Sequence, residues 1–143
     1  MSLKNLLKTP IMSSNNVHFL SINEKWKTPE NFYENLNNEF NFDFDPCPSN
    51  PEFDGLATEW GNCNFVNPPY GNVIAKWLAK AVEEQSKGNT SVFLIPSRTD
   101  TRWWHEYVMK ADEIRFIKGR LRFKGAKFNA PFPSVVVVFR GAN

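Results

Sequence analysis

The segment that most restricts how this chain of 143 residues can fold is Asn64-Phe65-Val66 followed at once by Asn67-Pro68-Pro69-Tyr70. Two consecutive prolines have no N–H to offer a ladder and a fixed φ, so a strand entering this segment must stop at Asn67. Beyond Gly71 the apolar period changes. Val73, Ile74, Trp77, Leu78, Ala81 and Val82 trace one face of a helix that Gly88 can terminate. Strand, rigid turn and helix form the unit from which alternating sheets are built.

A second proline stop lies upstream. Phe40, Phe42 and Phe44 alternate with Asn41, Asp43 and Asp45, the period of a strand with one aromatic face, and the run ends at Asp45-Pro46-Cys47-Pro48. Prolines at 46, 48 and 51 exclude regular helix and leave residues 46–53 as a loop. Before it, Thr28 is placed to cap and Pro29 to open a helix over about residues 29–39, with Phe32, Tyr33, Leu36 and Phe40 on one face. Residues 91–95 read as a buried parallel strand closed by Pro96, and a helix is expected over residues 101–109. Residues 113–117, 121–124 and 134–139 read as strands, the first two forming a ribbon about Lys118-Gly119. The pattern predicts an α/β fold with a mostly parallel sheet and an antiparallel C-terminal edge. Residues 1–23 show neither period and read as an arm, leaving residues 24–143 as a single domain.

Charge says little in total and more in its distribution. Seventeen basic residues against fifteen acidic leave a net +2, below what a dedicated nucleic-acid clamp carries. Yet Arg98, Arg102, Arg115, Arg120, Arg122, Lys124 and Lys127 crowd the C-terminal half, which predicts a basic face there. Cys47 and Cys63 are too few for a disulfide framework and lack the spacing or paired histidines of a zinc site, so no metal is expected and a reducing, cytoplasmic setting is. No run approaches the roughly 18 apolar residues of a membrane span, and residues 1–16 lack the apolar core of an export signal. With thirteen Phe and five Trp, an aromatic earns notice only inside a motif. Trp103 and Trp104 therefore read first as core and His105 as structural, ahead of any role in lining a pocket.

Both proline stops fall at strand ends, and in an open α/β sheet ligands bind beyond the carboxyl ends of strands. The second stop carries chemistry in its residue types. Pro68 pushes Asn67 into extended backbone, and the Asn67 side-chain oxygen and the Pro68 carbonyl can each accept one hydrogen of a single NH2 group. Pro69 stiffens the pair and Tyr70 offers a ring for stacking. An aromatic amine is a poor nucleophile because its lone pair is delocalised; two acceptors on its hydrogens draw it toward sp3 character and stabilise the developing charge. A sulfonium methyl donor in line with that lone pair would complete a direct transfer. The amine of a paired adenine is buried in the duplex, so the base must first be flipped out. Alone, the four residues are equally compatible with a plain rigid turn.

The surrounding pieces decide between these. Trp26-Lys27-Thr28-Pro29, Phe44-Asp45-Pro46-Cys47, Asp54-Gly55-Leu56 with Trp60, Asn67-Pro68-Pro69-Tyr70, the run from Leu94 to Thr101, and Gly119-Arg120-Leu121-Arg122-Phe123 stand in the order of one family. From Trp26 to about Phe139 the chain resembles the adenine-N6 DNA methyltransferases, in particular the small phage-borne Dam-like family. The resemblance implies a reduced Rossmann-like class I fold that uses S-adenosyl-L-methionine and acts site-specifically on double-stranded DNA, in a phage or restriction-modification setting. It implies Asn67, Pro68, Pro69 and Tyr70 as the catalytic turn, with Trp26, Thr28 and Pro29 at the methionine end of the cofactor. Asp45 would face the cofactor's amino group above a loop shaped by Pro46 and Cys47, and Asp54 would bond its adenine, although Asp-Gly is also an ordinary turn. Arg98, Arg102, Arg120, Arg122 and Lys124 are the candidates for phosphate contact.

Two departures stand out. The loop after Asp45 has no Gly-rich stretch, and only 21 residues separate Asp45 from Asn67, leaving little room for an acid to hold the cofactor's ribose; Glu52 and Glu59 are the nearby candidates. Two other readings stay open: transfer to a protein glutamine or to a guanine amine of RNA, since Asn-Pro-Pro-Tyr can hold any planar amide or amino group, and, because the ribose acid is missing, a non-catalytic DNA-binding protein on a degenerate methyltransferase scaffold.

Overall fold

A computed structural model describes residues 26–142, so the expected arm of residues 1–23 lies outside the described residues. The elements are α1 (Glu30–Phe40), β1 (Cys63–Val66), α2 (Ile74–Ser86), β2 (Thr90–Pro96), α3 (Arg102–Glu106), a 3-10 turn at Val108–Lys110, β3 (Glu113–Phe116) and β4 (Ser134–Phe139). Helices and strands alternate as expected, and the four strands form one sheet in the order β1-β2-β4-β3.

The pairing corrects the expectation of a mostly parallel sheet with an antiparallel edge. β1 and β2 are parallel, with Phe65 opposite Val92, whereas β4 runs antiparallel to both β2 and β3. The C-terminal strand is the reversed one, but it lies inside the sheet. The reason is burial: Ser134–Phe139 is buried at every position, as an interior strand requires, while β3 is only half-buried and its Phe116 is 70% exposed.

Side chains of β4 alternate between two cores. Val135, Val137 and Phe139 join Phe93 and Ile95 against α2 and α3, through Trp77, Leu78 and Trp104. Val136 and Val138 join Val92, Leu94 and Phe65 on the other face, beneath Leu36 of α1 and Phe123, Ala130 and Phe132. The result is three layers, each buried apolar side chain contributing about 1.5–3 kcal/mol. Trp103 and Trp104 are core residues, as their placement on a short helix suggested. At the end of α2 the buried Glu84 accepts hydrogen bonds from Lys80 at 2.9 Å and Asn89 at 2.8 Å, and Gly88 takes φ +92 to end the helix.

Three local expectations change. The run from Phe40 to Asp45 is not a strand: Phe40 completes α1, Asn41 takes the left-handed φ of 57, and the one bridge to β1 is a parallel one between Phe44 and Asn64. The Asp43 carboxylate accepts the N–H groups of Asn62 and Cys63, at 3.3 and 3.0 Å, and so crowds out further ladder pairing. Residues 121–124 form no ribbon with β3, because Gly119 and Gly125 turn the chain at φ +77 and +83 while β4 takes up all four residues of β3. The helix expected over residues 101–109 stops at Glu106, where Tyr107 leaves helical backbone for the 3-10 turn.

Strand direction places the site. β1, β2 and β3 point their carboxyl ends the same way, β4 begins there, and the Phe44 bridge is parallel to β1. The stretches after Asp45, Val66, Pro96 and Phe116 therefore gather at one end of the sheet. Among the described residues, no helix is long and apolar enough to cross a membrane.

Candidate active site

The turn after β1 is buried. Asn67 is 8% exposed, Pro68 and Pro69 are buried, and Tyr70 is half-buried. Both hydrogens of the Asn67 amide are committed: Nδ2 donates to the Trp26 carbonyl at 2.7 Å and to Thr28 Oγ1 at 3.0 Å. These two bonds fix which way the amide faces, and its Oδ1 is left buried with no hydrogen-bond partner among the described residues. An unsatisfied buried acceptor costs on the order of 1–3 kcal/mol, so a group kept in that state marks a place for an incoming donor.

Thr28 was expected to cap α1 and to face a cofactor. The helix instead begins with Pro29 as its N-cap, without a side-chain cap, and the Thr28 hydroxyl serves Asn67. Trp26 also touches the turn: its carbonyl accepts from Asn67, and its ring lies 6.3 Å from Tyr70, within 15° of parallel. Phe123 and Phe132 close this aromatic group edge-on, at 5.3 and 5.1 Å from Trp26. Tyr70 donates its hydroxyl to the Leu94 carbonyl at 3.3 Å, and burial pushes its phenol well above the usual range, so the ring stays neutral. Phe132 was not singled out in the sequence, and Phe123 and Leu94 stood there only within runs that carry the resemblance, with no role assigned to either. Their signal is faint, because two lie in a connection with no regular period and the third acts through its backbone.

Asp45 sits one residue past the Phe44 bridge, with Oδ1 accepting the Cys47 N–H at 2.9 Å. Burial raises its pKa to about 6, against the single lowering influence of that N–H. Such a carboxylate is short of positive partners. Asp54 is exposed and closes the Asp-Gly turn, its Oδ1 accepting the Leu56 N–H at 3.0 Å. Gly55, next to it, packs so tightly that a Cβ would overlap the Pro46 carbonyl oxygen and stand 2.7 Å from Trp77. Asp45, Pro46, Cys47 and Asp54 are thereby drawn into one neighbourhood, with Cys47 buried. Glu52 and Glu59 are both exposed.

The basic candidates are at the same end of the sheet. Arg98 is exposed just past β2, and Arg102 pairs with Glu106 at 3.2 Å. Arg120 is exposed, Arg122 donates to the Ala126 carbonyl at 3.0 Å, and Lys124 pairs with Glu30 at 3.1 Å. Arg115 is set apart, its guanidinium held bidentately by Glu39 of α1 at 2.7 and 2.6 Å. His105 is exposed against the Thr99 carbonyl. Between the Trp26-Lys27 segment and the Lys124–Pro131 stretch opens a cavity of about 590 Å³.

No curated protein and no solved structure matches the chain. A family model described as DNA N-6-adenine-methyltransferase (Dam) matches residues 18–140, which takes in the turn at residues 67–70, the Asp45 loop and all four strands. With that match running over most of its length, the chain belongs to the DNA N-6-adenine-methyltransferase (Dam) family.

Proposed function

We propose that this protein transfers a methyl group from S-adenosyl-L-methionine to the exocyclic N6 amine of an adenine flipped out of double-stranded DNA, within a reduced Rossmann-like class I fold and a cytoplasmic, phage-type setting. The observation that carries the reading is the bare, buried Oδ1 of Asn67, held in place by two hydrogen bonds on the other end of the same amide. An acceptor so fixed suits one hydrogen of an NH2 group, and the Pro68 carbonyl beside it suits the other.

The cofactor's fit rests on Asp45. A carboxylate raised to about 6 by burial favours a cation, and the α-ammonium of S-adenosylmethionine is one. Asp54, on the neighbouring turn, would accept from the cofactor's adenine, while Pro46 and Cys47 shape the floor between them. When bound, S-adenosylmethionine supplies an electrophilic methyl group. Asn67 and Pro68 hold the target amine and stabilise positive charge growing on its nitrogen. Tyr70, neutral and pinned through Leu94, gives the flipped base a face to stack on. The parallel β1–α2–β2 unit with its site beyond the carboxyl ends supports the Rossmann-like reading.

The test is transfer of labelled methyl from S-adenosylmethionine to unmodified DNA, with N6-methyladenine identified after digestion. Asn67→Ala is expected to lower kcat by about 100-fold or more while cofactor binding is retained. Transfer to protein or RNA but to no DNA would sink the substrate assignment.

A further inference from the structure

β3 leaves the sheet and β4 returns to it at the end that carries Asn67 and Asp45, so the connection between them, residues 117–133, is obliged to overhang the site. Its composition is one-sided: Lys118, Arg120, Arg122, Lys124 and Lys127 lie in it, with no Asp or Glu. It also has two unlike sides. On the inner one, Phe123, Ala130 and Phe132 are buried, and the two rings pack edge-on against Trp26 and Tyr70. Internal hydrogen bonds hold its shape, Ala130 N–H to the Leu121 carbonyl at 2.7 Å and Arg122 to the Ala126 carbonyl.

On the outer side Phe128 is 78% exposed, next to Lys127, and borders the cavity of about 590 Å³ that Trp26 and Lys124 also line. A phenylalanine left in water forgoes about 1.5–3 kcal/mol of burial. An aromatic ring held out among cations matches a partner that is anionic outside and apolar between its layers. Duplex DNA has that construction: phosphates attract the cations, and a separated base step accepts an apolar side chain.

Building on the reading of the site as a DNA adenine methyltransferase, we propose that residues 117–133 form a saddle on the duplex. Its basic residues lie on phosphates flanking the target, and Phe128 enters the space in the stack that the flipped adenine leaves. Extruding a base costs a few kcal/mol in lost stacking and pairing, and a ring placed in the gap offsets part of that. The inner side of the same connection walls Tyr70, so one loop contacts both the extruded base and the gap behind it.

The experiment uses the full chain. The methylated site is first mapped on unmodified plasmid DNA with the wild-type protein, and short duplexes carrying it are made with the target adenine opposite thymine or opposite an abasic site. Phe128→Ala is expected to lower kcat/KM about tenfold on the paired duplex and far less on the abasic one, where the base is already unpaired, and Phe128→Trp to restore the paired rate. A second arm needs no turnover: anisotropy of a labelled random-sequence duplex against salt. Joint replacement of Lys118, Arg120 and Lys127 by Ala is expected to reduce the slope of log K against log salt by about two to three. Equal loss on both duplexes, or none, would overturn the wedge, and an unchanged slope would overturn the saddle. A wild-type protein that methylates no DNA overturns the functional reading instead, and with it the wedge, while the salt arm still decides whether the loop holds a duplex.

Discussion

The amide of Asn67 has two ends with different tasks. Its nitrogen is anchored on Trp26 and Thr28, which leaves its oxygen facing the site. Thr28→Val keeps the shape but removes one anchor, leaving Nδ2 on the Trp26 carbonyl alone. A loss of about tenfold in kcat is expected, with KM for the cofactor little changed and Thr28→Ser restoring the rate, as a lost hydrogen bond of about 1.4 kcal/mol implies. A merely structural effect would instead lower the melting temperature and act on both constants. Asp45 supports a pH prediction. Its folded value of about 6 lies above the ordinary 3.8, so between those pH values the folded state binds more protons than the unfolded one. The stability it contributes is present below about pH 4 and is lost as pH rises through 6. Asp45→Asn should therefore be the more stable protein at pH 7, by on the order of 2 kcal/mol in urea unfolding, and no more stable at pH 3.5. Cofactor affinity should run the other way, rising in the wild type from pH 5 to 7 and staying low and flat in the variant. The placing of Asn67 and Tyr70 was legible in the sequence because the proline stop after Val66 announces a strand end, whereas Asp45 was read at the end of a strand that the structure reduces to the Phe44 bridge. The use of Thr28 was not legible, since a Thr before Pro at a helix start satisfies the capping pattern whether or not its hydroxyl is needed elsewhere.

At the scale of elements, Gly55 shows how a turn far from Asn67 supports the site. It lets residues 54–56 close against Pro46 and Trp77, and its carbonyl accepts the Trp60 indole N–H at 2.8 Å. Gly55→Ala must displace backbone at Pro46, and a loss of about 3 kcal/mol of stability is expected by chemical denaturation, with cofactor affinity falling alongside it. An unchanged midpoint would mean that the Pro46 loop gives way freely. Elements with a clean period were legible: α2 and β2 match their expected bounds within a residue or two. The segments that misled share a cause. Residues 40–45 and 121–124 alternate as strands do, but in one case the Asp43 carboxylate takes the Cys63 N–H, and in the other Gly119 and Gly125 turn the chain away while β4 takes the inner edge of β3. Alternation states which face a residue would take, not whether the chain will lie alongside a neighbouring strand.

For the whole molecule, β2 and β4 are the strands paired on both sides, and both cores meet on them. Native-state hydrogen exchange should find its slowest amides in Thr90–Pro96 and Ser134–Phe139, with those of residues 117–133 faster by several orders of magnitude. Comparable protection in the loop and in β4 would contradict the division between a rigid sheet and a surface connection. The sequence by itself determined the α/β class, the strand end at Val66, and the residue types of the turn after β1, because each of these follows from local rules of period, proline and donor inventory. Only the tertiary structure decided that β4 runs inside the sheet, that Thr28 and Trp26 orient Asn67, and that a basic connection with an exposed phenylalanine hangs over the site. Those outcomes depend on which of several eligible segments wins a shared backbone partner or a shared patch of core, and that competition is settled between residues far apart in the chain.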